Sequence, residues 1–366
     1  MMSESIAENI VKEINGQIRG FRNLFYVQLH ITADCTEDCK HCYLDKTKIS
    51  EMYNLETCKD IIDQIVDLAA KKRKFPYIAF IGGDPLLHPH IDELIKYARG
   101  KKVNVVIKGN PWLLTEEKVQ SLKNMGIARY HLSLDGLQNT HDSIRREGSF
   151  NRTIEAIKLL TKHNISTLVK STVSTSNISE MKDLLVYANA IGVDAFDFQR
   201  YAPTSSENAK YMVSGLQYKN LLCELLETYK EIRVPNNKMH LLYRDHLWML
   251  LFRELDIIND DLLTQVTSKD QTICGCSMAN GNILVINYDG NVTPCAKVPN
   301  YIIGNVFESK ISNIIDSNKF KALRSIENYS KCSKCKLSLM CRGCPAIAYY
   351  KNNNVFDADP QCWLDV

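Results

Sequence analysis

A strict alternation of strand-like and helix-like segments over the first 200 residues constrains the fold more than any other feature. Six short runs rich in β-branched and aromatic residues predict strands at 24–32, 77–81, 103–107, 128–134, 167–173 and 195–199. Longer amphipathic stretches predict helices at 55–71, 116–125, 150–163 and 178–192. Thr115 and Ser149 stand where helix N-caps are expected, and Gly192 stands where a helix should end. Alternating units favour a parallel sheet with right-handed crossovers. We therefore expect an α/β fold, a partial (β/α)6 TIM-like barrel, although an open doubly wound sheet shares this periodicity.

The chain changes in character near residue 204, where the alternation stops. A helical bridge is predicted next, and then a small α+β domain that contains eight of the thirteen cysteines. In that domain two alternating runs flank Asp289-Gly290, which predicts a β-hairpin over 282–295. The predicted parts are an N-terminal extension, a barrel, a helical bridge and a cysteine-rich domain, at 1–23, 24–204, 205–270 and 271–366.

Charge and composition exclude several classes of function. Lys plus Arg total 45 against 42 Asp plus Glu, and a net charge of +3 argues against a nucleic-acid-binding protein, which carries a clear basic excess. No apolar run is long enough to span a bilayer, and the N-terminus lacks the features of a signal peptide. We therefore expect a cytoplasmic protein without a membrane partner. Thirteen cysteines in a reducing compartment indicate metal ligation rather than disulfides.

Three cysteines, Cys35, Cys39 and Cys42, follow the first predicted strand with Cys-x3-Cys-x2-Cys spacing. A zinc site is one interpretation, but zinc knuckles usually have four ligands and two-residue spacings. Three thiolates from one loop fit an iron–sulfur cluster that leaves one iron open to a substrate or cosubstrate. Because ligands bind at the carboxyl ends of parallel strands, we expect this loop to share a rim with 82–89 and 133–136.

The three-cysteine motif resembles that of the radical S-adenosylmethionine (radical SAM) superfamily. The resemblance implies that these cysteines hold a [4Fe-4S] cluster and that SAM chelates the fourth iron through its amino and carboxylate groups. Reduction of the cluster, by a donor such as flavodoxin or ferredoxin, would cleave SAM to a 5′-deoxyadenosyl radical. The family usually has an aromatic residue near the adenine just before the third cysteine. His41 holds that place here, and an exposed loop histidine is the alternative.

Further stretches match the same family. The sequence GGDP at 82–85 resembles its GGEP loop, whose backbone receives the SAM amino group, with Asp in place of the usual Glu. SLDG at 133–136 with the following HDSIRREGSF resembles the peptide-modifying branch, and KSTVSTSN at 170–177 resembles the ribose-contacting strand. The implied cofactor-binding residues are Gly82, Gly83, Asp84, Pro85, Ser133, Asp135, Arg145, Ser171 and Asn177. For the SLDG segment, a strand end followed by a solvated charged loop is the alternative. The family's Thr-Asn-Gly after the third strand is replaced by IKGNPWLL, so this loop departs from the pattern.

The C-terminal cysteines resemble the SPASM extension of radical SAM enzymes, which binds two auxiliary [4Fe-4S] clusters. The implied ligands are Cys274 or Cys276 with Cys295 and Cys344 for one cluster, and Cys332, Cys335, Cys341 and Cys362 for the other. If only one of Cys274 and Cys276 ligates, the first auxiliary cluster could keep an open iron. The family usually has three residues, not two, between the cysteines that correspond to Cys341 and Cys344. A pair of zinc ribbons is the alternative for the whole domain.

Two cysteines lie outside these sets. Cys58 falls in an amphipathic helix and is predicted to pack in the core. Cys223 lies beside an apolar stripe in the segment 216–230, where core packing is again favoured. A hydrogen-atom donor to a carbon radical is the alternative for Cys223.

The SPASM branch mostly modifies ribosomally made peptides or proteins. We therefore expect hydrogen abstraction from a peptide residue, giving a cross-link, an epimerised residue or an oxidised residue. Anaerobic sulfatase maturases place a catalytic Asp where this chain has Ala296, which argues against that activity. The first strand begins near residue 24, which leaves no room before it for the leader-binding domain of many peptide maturases. The peptide would be bound by the barrel and bridge or delivered by a separate protein.

A small molecule or tetrapyrrole is the second substrate class, because some relatives with SPASM-like tails decarboxylate tetrapyrroles. A missing leader-binding domain is compatible with this class. Four histidines could contact an iron porphyrin, although a histidine in such a position is more often a surface or core residue: His131, His141, His240 and His246. A non-enzymatic electron carrier is disfavoured, since it needs neither an open iron nor a GGDP loop.

Overall fold

Ten strands form one sheet within the described part of the chain. The structure is a computed structural model that describes residues 9, 11–13, 16–17, 23–44, 53–203, 205, 207–233, 238–261, 263, 276, 278, 281 and 283–364. The strands are β1 Leu24–Thr32, β2 Phe75–Gly82, β3 Asn104–Lys108, β4 Arg129–Ser133, β5 Thr167–Val173, β6 Ala195–Arg200, β7 His240–Leu241, β8 Ile283–Ile286, β9 Asn291–Thr293 and β10 Gly304–Asn305. Their order in the sheet is β10-β9-β8-β1-β2-β3-β4-β5-β6-β7. Strands β1 to β7 are parallel, so the predicted parallel α/β barrel is confirmed.

Helices cover the outer face of this sheet. They are α1 Leu55–Lys71, α2 Ile91–Gly100, α3 Glu116–Asn124, α4 Gln138–Ile144, α5 Ser149–Lys162, α6 Met181–Ala190, α7 Gly215–Ile232, α8 Trp248–Glu254, α9 Ile311–Ile315, α10 Asn318–Arg324 and α11 Pro345–Asn352. Short 3-10 helices lie at Pro85–Leu87, Ile178–Glu180, Glu207–Tyr211, Ile326–Asn328 and Cys332–Lys334. Among the described helices, none combines the length and the apolar character needed to cross a membrane.

The helix boundaries follow local chemistry, with one difference from the prediction. The Thr115 side chain accepts from the Lys118 N–H at 3.2 Å and caps α3, and Gly192 adopts φ 81° just after α6, as predicted. Ser149 is not an N-cap, so that prediction was wrong. Gly148, with φ 76°, precedes the helix, and the Asp142 carboxylate accepts its N–H at 3.0 Å. The Ser149 hydroxyl is thereby left for a contact in the site described below.

The two faces of the barrel sheet differ in polarity. On β1 the residues Phe25, Val27 and Leu29 are fully buried against the helices, while the alternate residues face the barrel interior, which we call the lumen. The same alternation continues through β4, where Tyr130 and Leu132 face the helices. Among the polar residues on the lumen face, Arg129, His131 and Ser133 keep partial exposure, whereas His30 and Asp197 are fully buried.

The C-terminal segment is joined to the barrel by main-chain hydrogen bonds. The predicted hairpin is present, with β8 and β9 antiparallel across a turn in which Gly290 has φ 82°. Strand β8 also pairs in parallel with β1, from Tyr26 opposite Ile283 to Leu29 opposite Ile286. The sheet of the barrel therefore extends into the cysteine-rich segment, which packs against the start of the barrel.

Candidate active site

The loop after β1 carries Cys35, Cys39 and Cys42, and side chains from neighbouring loops approach two of the thiols. The Asn110 amide donates to Cys35 Sγ at 3.2 Å, and the Arg145 guanidinium donates to Cys39 Sγ at 3.5 Å. The Cys42 N–H donates to the Cys39 carbonyl at 3.1 Å and closes a tight turn. Hydrogen bonds to sulfur help set the properties of iron–sulfur clusters.

Glu37 holds this loop from within and was missed by the sequence-based prediction. The residue is 5% exposed, and its carboxylate accepts from Arg145 at 3.0 Å and from Ser149 Oγ at 2.5 Å. The Trp112 indole N–H donates to the same carboxylate at 3.1 Å. Burial would raise the pKa of Glu37, but the Arg145 charge and these hydrogen bonds lower it overall. An ionised Glu37 therefore ties the cysteine loop to α5 and to the loop after β3.

Asp135 and Arg145, both predicted from the SLDG segment, meet beside the cysteine loop. Arg145 Nε donates to Asp135 Oδ2 at 2.6 Å, and His41 Nε2 lies 3.7 Å from the same oxygen. Burial would raise the pKa of Asp135, but Arg145 and the neighbouring histidines lower it to about 2. Burial lowers the pKa of His41 to about 4, so this ring is neutral near pH 7. The His141 ring accepts from the Asp135 N–H at 3.0 Å and belongs to the same polar network.

The GGDP loop lies directly against the cysteine loop. The Gly83 N–H donates to the Thr32 carbonyl at 3.0 Å, and the Asp84 N–H donates to the Asp34 carbonyl at 2.7 Å. A Cβ on Gly83 would lie 2.0 Å from the Asp34 oxygen, and Gly82 adopts φ 152°. Glycine is therefore required at both positions. The fully buried Asp84 carboxylate accepts from the Leu86 N–H at 3.2 Å and caps the 3-10 helix that begins at Pro85.

The remaining predicted cofactor-binding residues lie at the ends of β4 and β5. Ser133 is the last residue of β4 and keeps partial exposure. The fully buried Ser171 donates its hydroxyl to the Leu134 carbonyl. The Asn177 amide donates to the Asp135 carbonyl at 2.7 Å and to the Thr172 carbonyl at 2.9 Å. The polar atoms of Ser171 and Asn177 are thus used within the protein, where they brace the loop that carries Asp135.

The C-terminal cysteines of the described residues fall into two groups. Burial raises the pKa of Cys344, Arg200 opposes the shift, and the nearby Cys276 and Cys295 thiols increase it. A second group surrounds Cys332, whose pKa is raised to about 11 by burial and by the neighbouring Cys362 and Cys335 thiols. Each group contains three members of one of the two ligand sets that the resemblance implies, and the ligand sets themselves stay a prediction.

Cys341 is buried, and its Sγ accepts from the Gly343 N–H at 3.4 Å. Cys274 lies outside the described residues, so its predicted role has no structural counterpart here. Within the described ranges, no three His, Cys, Asp or Glu side chains are arranged to hold a single metal ion.

A buried ionic network joins β6 to both cysteine groups. Arg200 donates from Nε to Asp245 at 3.0 Å and lies 2.9 Å from the Asp359 carboxylate. Asp359 Oδ2 accepts the Cys344 N–H at 2.8 Å, and the Asp359 carbonyl accepts the Cys362 N–H at 3.0 Å. The Arg200 and Asp359 side chains are each 1% exposed. One residue, Asp359, therefore positions a cysteine from each group, and Arg200 fixes Asp359 to the barrel.

The two leftover cysteines lie away from these sites. Cys58 is fully buried in the core on α1, as predicted. Cys223 lies on α7 in the outer layer, and the charged side chains near its thiol are Lys219, Glu254 and Glu227. Nothing in the described residues brings Cys223 to the cysteine loop, so the structure offers no support for a hydrogen-atom donor there.

The lumen of the barrel is strongly cationic. Its strands contribute Lys108, Arg129 and Lys170, and Asp197 is the one carboxylate among the described lumen-facing residues of β1 to β6. Lys170 Nζ lies 3.3 Å from Asp197, and Arg244 Nη1 lies 3.6 Å from the same carboxylate. Several positive charges in one cavity with a single acidic partner favour an anionic ligand.

Two lumen lysines have no carboxylate within ion-pair distance among the described residues. Lys108 Nζ donates to the Gln28 side chain at 3.2 Å and lies 5.3 Å from the centre of the Tyr26 ring. Burial and the neighbouring Arg244 lower the pKa of Lys108 to about 7. Lys297, two residues after Cys295, lies 4.8 Å from the centre of the Tyr43 ring, between the cysteine loop and the first C-terminal cysteine group.

The residues present fit SAM and iron–sulfur clusters. Two thiols of the cysteine loop accept hydrogen bonds from N–H groups, and the two glycines of the GGDP loop lie directly against the cysteine loop. The hydrogen bonds to sulfur suit an iron–sulfur cluster, and the glycines let the GGDP loop approach the cysteine loop that would hold it. The C-terminal thiols are grouped on loops fixed by the Arg200 network.

Some functional residues escaped the sequence-based prediction although the sequence contains a signal for them. Lys108, Arg129 and Lys170 are charged residues inside β-branched strands, at alternate positions that face one side. That pattern could have identified a charged lumen. Glu37 and Asn110 had no comparable signal, since their role depends on loops that are distant in sequence.

Comparison with known families matches two parts of the chain. The Radical SAM superfamily matches residues 29–187, and the SPASM iron–sulfur cluster-binding domain matches residues 274–336. The first match begins within β1, ends within α6 and includes the cysteine loop. The second begins at Cys274 and includes Cys276, Cys295, Cys332 and Cys335.

Individual proteins resemble the chain over most of its length. The AdoMet-dependent heme synthase of Methanosarcina barkeri is 27% identical over 91% of this chain and 94% of its own. The Fe-coproporphyrin III synthase of the same organism is 25% identical over 92% of this chain and 86% of its own. A solved structure with the same fold is Streptococcus suis SuiB bound to its precursor peptide SuiA. It has a TM-score of 0.73 and 17% identity, and the match covers 96% of this chain and 80% of SuiB. The chain therefore carries a radical SAM domain at residues 29–187 and a SPASM domain at residues 274–336, and its fold agrees with that of SuiB.

Proposed function

We propose that this radical SAM enzyme acts on a carboxylate-bearing tetrapyrrole and converts propionate side chains by oxidative decarboxylation. The observation that carries the proposal is the cationic lumen, in which Lys108 and Lys297 have no carboxylate within ion-pair distance among the described residues. A positively charged side chain removed from water is unfavourable unless an anion pairs with it, and the carboxylate of a propionate side chain is such an anion. The heme synthase similarity over 91% of the chain supports the same substrate class. This proposal replaces the peptide substrate expected from the sequence.

Different residues of this chain would bind the cluster, SAM and the substrate. Cys35, Cys39 and Cys42 would hold the SAM-binding cluster, and Gly82, Gly83 and the Asp135–Arg145 pair would shape the SAM site. Once reduced, that cluster supplies the chemistry of SAM cleavage, which yields the hydrogen-abstracting radical. Lys108, Lys170 and Arg244 would hold the carboxylates of the substrate, and Lys297 would do so near the cysteine loop.

The overall conversion balances for each propionate. One hydrogen atom passes from the propionate side chain to the 5′-deoxyadenosyl radical. The carboxylate then leaves as carbon dioxide while the vinyl group forms, and one electron remains to be accepted. Cys276, Cys295 and Cys344, near Lys297, would hold the first auxiliary cluster, which would supply an acceptor for this electron. The second site would hold its cluster on Cys332, Cys335, Cys341 and Cys362. An external donor such as flavodoxin or ferredoxin would reduce the SAM-binding cluster.

A ribosomally made peptide is the second candidate substrate. Its support is the shared fold with SuiB, whose structure was solved with a precursor peptide bound. A peptide of ordinary composition would leave most lumen cations without a partner, so an acidic peptide would be required. Ala296 lies between Cys295 and Lys297 and offers no carboxylate, so we do not propose sulfatase maturation.

Anaerobic turnover with both substrate classes tests the proposal. Reconstituted enzyme, SAM and reductant are incubated with iron coproporphyrin III and, separately, with a short peptide encoded beside the gene. We expect porphyrin products that have lost carbon dioxide, with 5′-deoxyadenosine formed in step with them. Peptide products without any porphyrin product would refute the tetrapyrrole proposal and establish the second candidate.

A further inference from the structure

His131 occupies the middle of the cationic lumen. It is the central residue of β4, whose alternate residues Arg129, His131 and Ser133 keep partial exposure while the others are buried against the helices. Its register neighbours are Lys108 on β3 and Leu168 on β5. The imidazole therefore reaches the cavity in which the proposed substrate would lie.

Cations surround His131 on several sides. Burial lowers its pKa well below the ordinary value, and the charges that add to the shift come from four side chains: Lys108, Arg244, Arg129 and Lys170. The ring is therefore neutral and retains a nitrogen lone pair. Neutral imidazole is the form that binds metals.

The same cations restrict which metal could reach this nitrogen. A free divalent cation would be repelled by four positive charges at this depth. A metal ion inside a macrocycle that carries several carboxylates arrives in an anionic complex, and the carboxylates pair with the lysines and arginines around the histidine. A neutral imidazole among cations thus suits a metal held in an anionic macrocycle.

We propose that His131 binds the metal ion of the substrate macrocycle as an axial ligand, so that the enzyme selects a metallated porphyrin over the metal-free form. This inference rests on the proposed function, since it requires a tetrapyrrole in the lumen. His30 is the other lumen imidazole without a hydrogen-bond partner in the described residues, but it is 0% exposed and packs 6.0 Å from the Tyr43 ring. His131 is the one of the two that a ligand can reach.

Binding spectroscopy with a metallated and a metal-free probe tests the inference. Ferric iron coproporphyrin III is titrated into the reconstituted enzyme, and the Soret band and the ferric electron paramagnetic resonance signal report a nitrogen ligand. For His131→Ala we expect loss of that signature, affinity for the iron complex about tenfold weaker, and recovery of the signature on addition of free imidazole. Metal-free coproporphyrin III, followed by its fluorescence, should bind the wild type and His131→Ala within about twofold of each other.

The control and the contrary results separate the two proposals. His90→Ala removes an exposed histidine that immediately precedes α2 and should leave both titrations unchanged. An iron signature that survives in His131→Ala, or is lost instead in His30→Ala, overturns the axial-ligand assignment. If His131→Ala weakens the affinity for the iron complex and for the metal-free porphyrin equally, the assignment is also overturned. His131 would then contact the macrocycle itself, for example through a hydrogen bond, and not its metal ion. If neither porphyrin binds the wild type, the proposed function itself fails.

Discussion

Lys108 gives substrate binding a distinct pH dependence. Burial and Arg244 lower the pKa of Lys108 to about 7 in the free enzyme, and a bound carboxylate would raise it again. The complex therefore holds the Lys108 proton more tightly, so affinity should be highest below pH 7 and fall as the pH rises through 7. Each unit of the pKa increase on binding corresponds to about 1.4 kcal/mol. Fluorescence titration of coproporphyrin III from pH 6 to 9 measures this decline.

Two variants of Lys108 show whether this residue is the cause. Lys108→Arg should bind coproporphyrin III with the same affinity at high and at low pH, because arginine stays protonated throughout this range. Lys108→Met should bind coproporphyrin III weakly at every pH, and its affinity should no longer fall as the pH rises through 7. A decline that persists unchanged in Lys108→Met would assign the titration to another group.

Glu37 is the residue on which the cysteine loop most depends. Glu37→Gln would leave Arg145, Ser149 and Trp112 facing a neutral amide in a buried site, which typically costs about 1–3 kcal/mol of stability. We expect a lower melting temperature and less iron in the SAM-binding cluster. Glu56→Gln, at an exposed position on α1, is the control and should change neither. Full iron content and an unchanged melting temperature in Glu37→Gln would contradict this account of the loop.

At the scale of elements, the contact between the GGDP loop and the cysteine loop makes a clear prediction. A Cβ on Gly83 would lie 2.0 Å from the Asp34 carbonyl oxygen, so Gly83→Ala must push the two loops apart. Misplacement by about 1 Å can cost roughly a hundredfold in rate. We expect SAM cleavage to fall to that extent while the auxiliary clusters keep their iron. Gly100→Ala, where a Cβ meets nothing within 4 Å, is the matched control, and equal SAM cleavage in both variants would refute the argument.

Sequence periodicity predicted the elements better than their ends. Strands β1 and β5 and helix α1 have the predicted limits, because hydrophobic alternation and caps are local properties. The prediction of Ser149 as an N-cap was wrong because Asp142, seven residues earlier, accepts the N–H of Gly148. The cysteine spacing indicated the cluster loop, whereas Glu37 and Asn110 depend on side chains brought together by tertiary folding.

At the scale of the whole molecule, the Arg200 network connects the barrel to the cysteine-rich segment. Arg200→Gln would leave Asp245 and Asp359 buried without their cation, and breaking a buried pair typically costs about 3–5 kcal/mol. We expect loss of auxiliary iron with the SAM-binding cluster retained, measured by iron content and by electron paramagnetic resonance. Arg253→Gln, which removes an exposed pair with Asp260, is the control. Retention of both auxiliary signals in Arg200→Gln would contradict this role.

The overall organisation was predictable in outline but not in its connections. The change of character near residue 204 predicts a boundary between a βα region and a helical bridge that precedes the cysteine-rich segment, and this boundary stays a prediction. The parallel pairing of β8 with β1 was not predicted, since strands more than 200 residues apart give no local signal. That pairing places Lys297 beside the cysteine loop, so the C-terminal segment contributes a cation to the candidate site as well as the auxiliary cysteines.

The most direct test of the central claim is the fate of a hydrogen atom on the substrate. Iron coproporphyrin III deuterated on its propionate side chains is incubated anaerobically with the enzyme, SAM and reductant, and the 5′-deoxyadenosine is weighed. We expect deuterium in 5′-deoxyadenosine together with released carbon dioxide and a vinyl product. Formation of unlabelled 5′-deoxyadenosine from an intact porphyrin would contradict it.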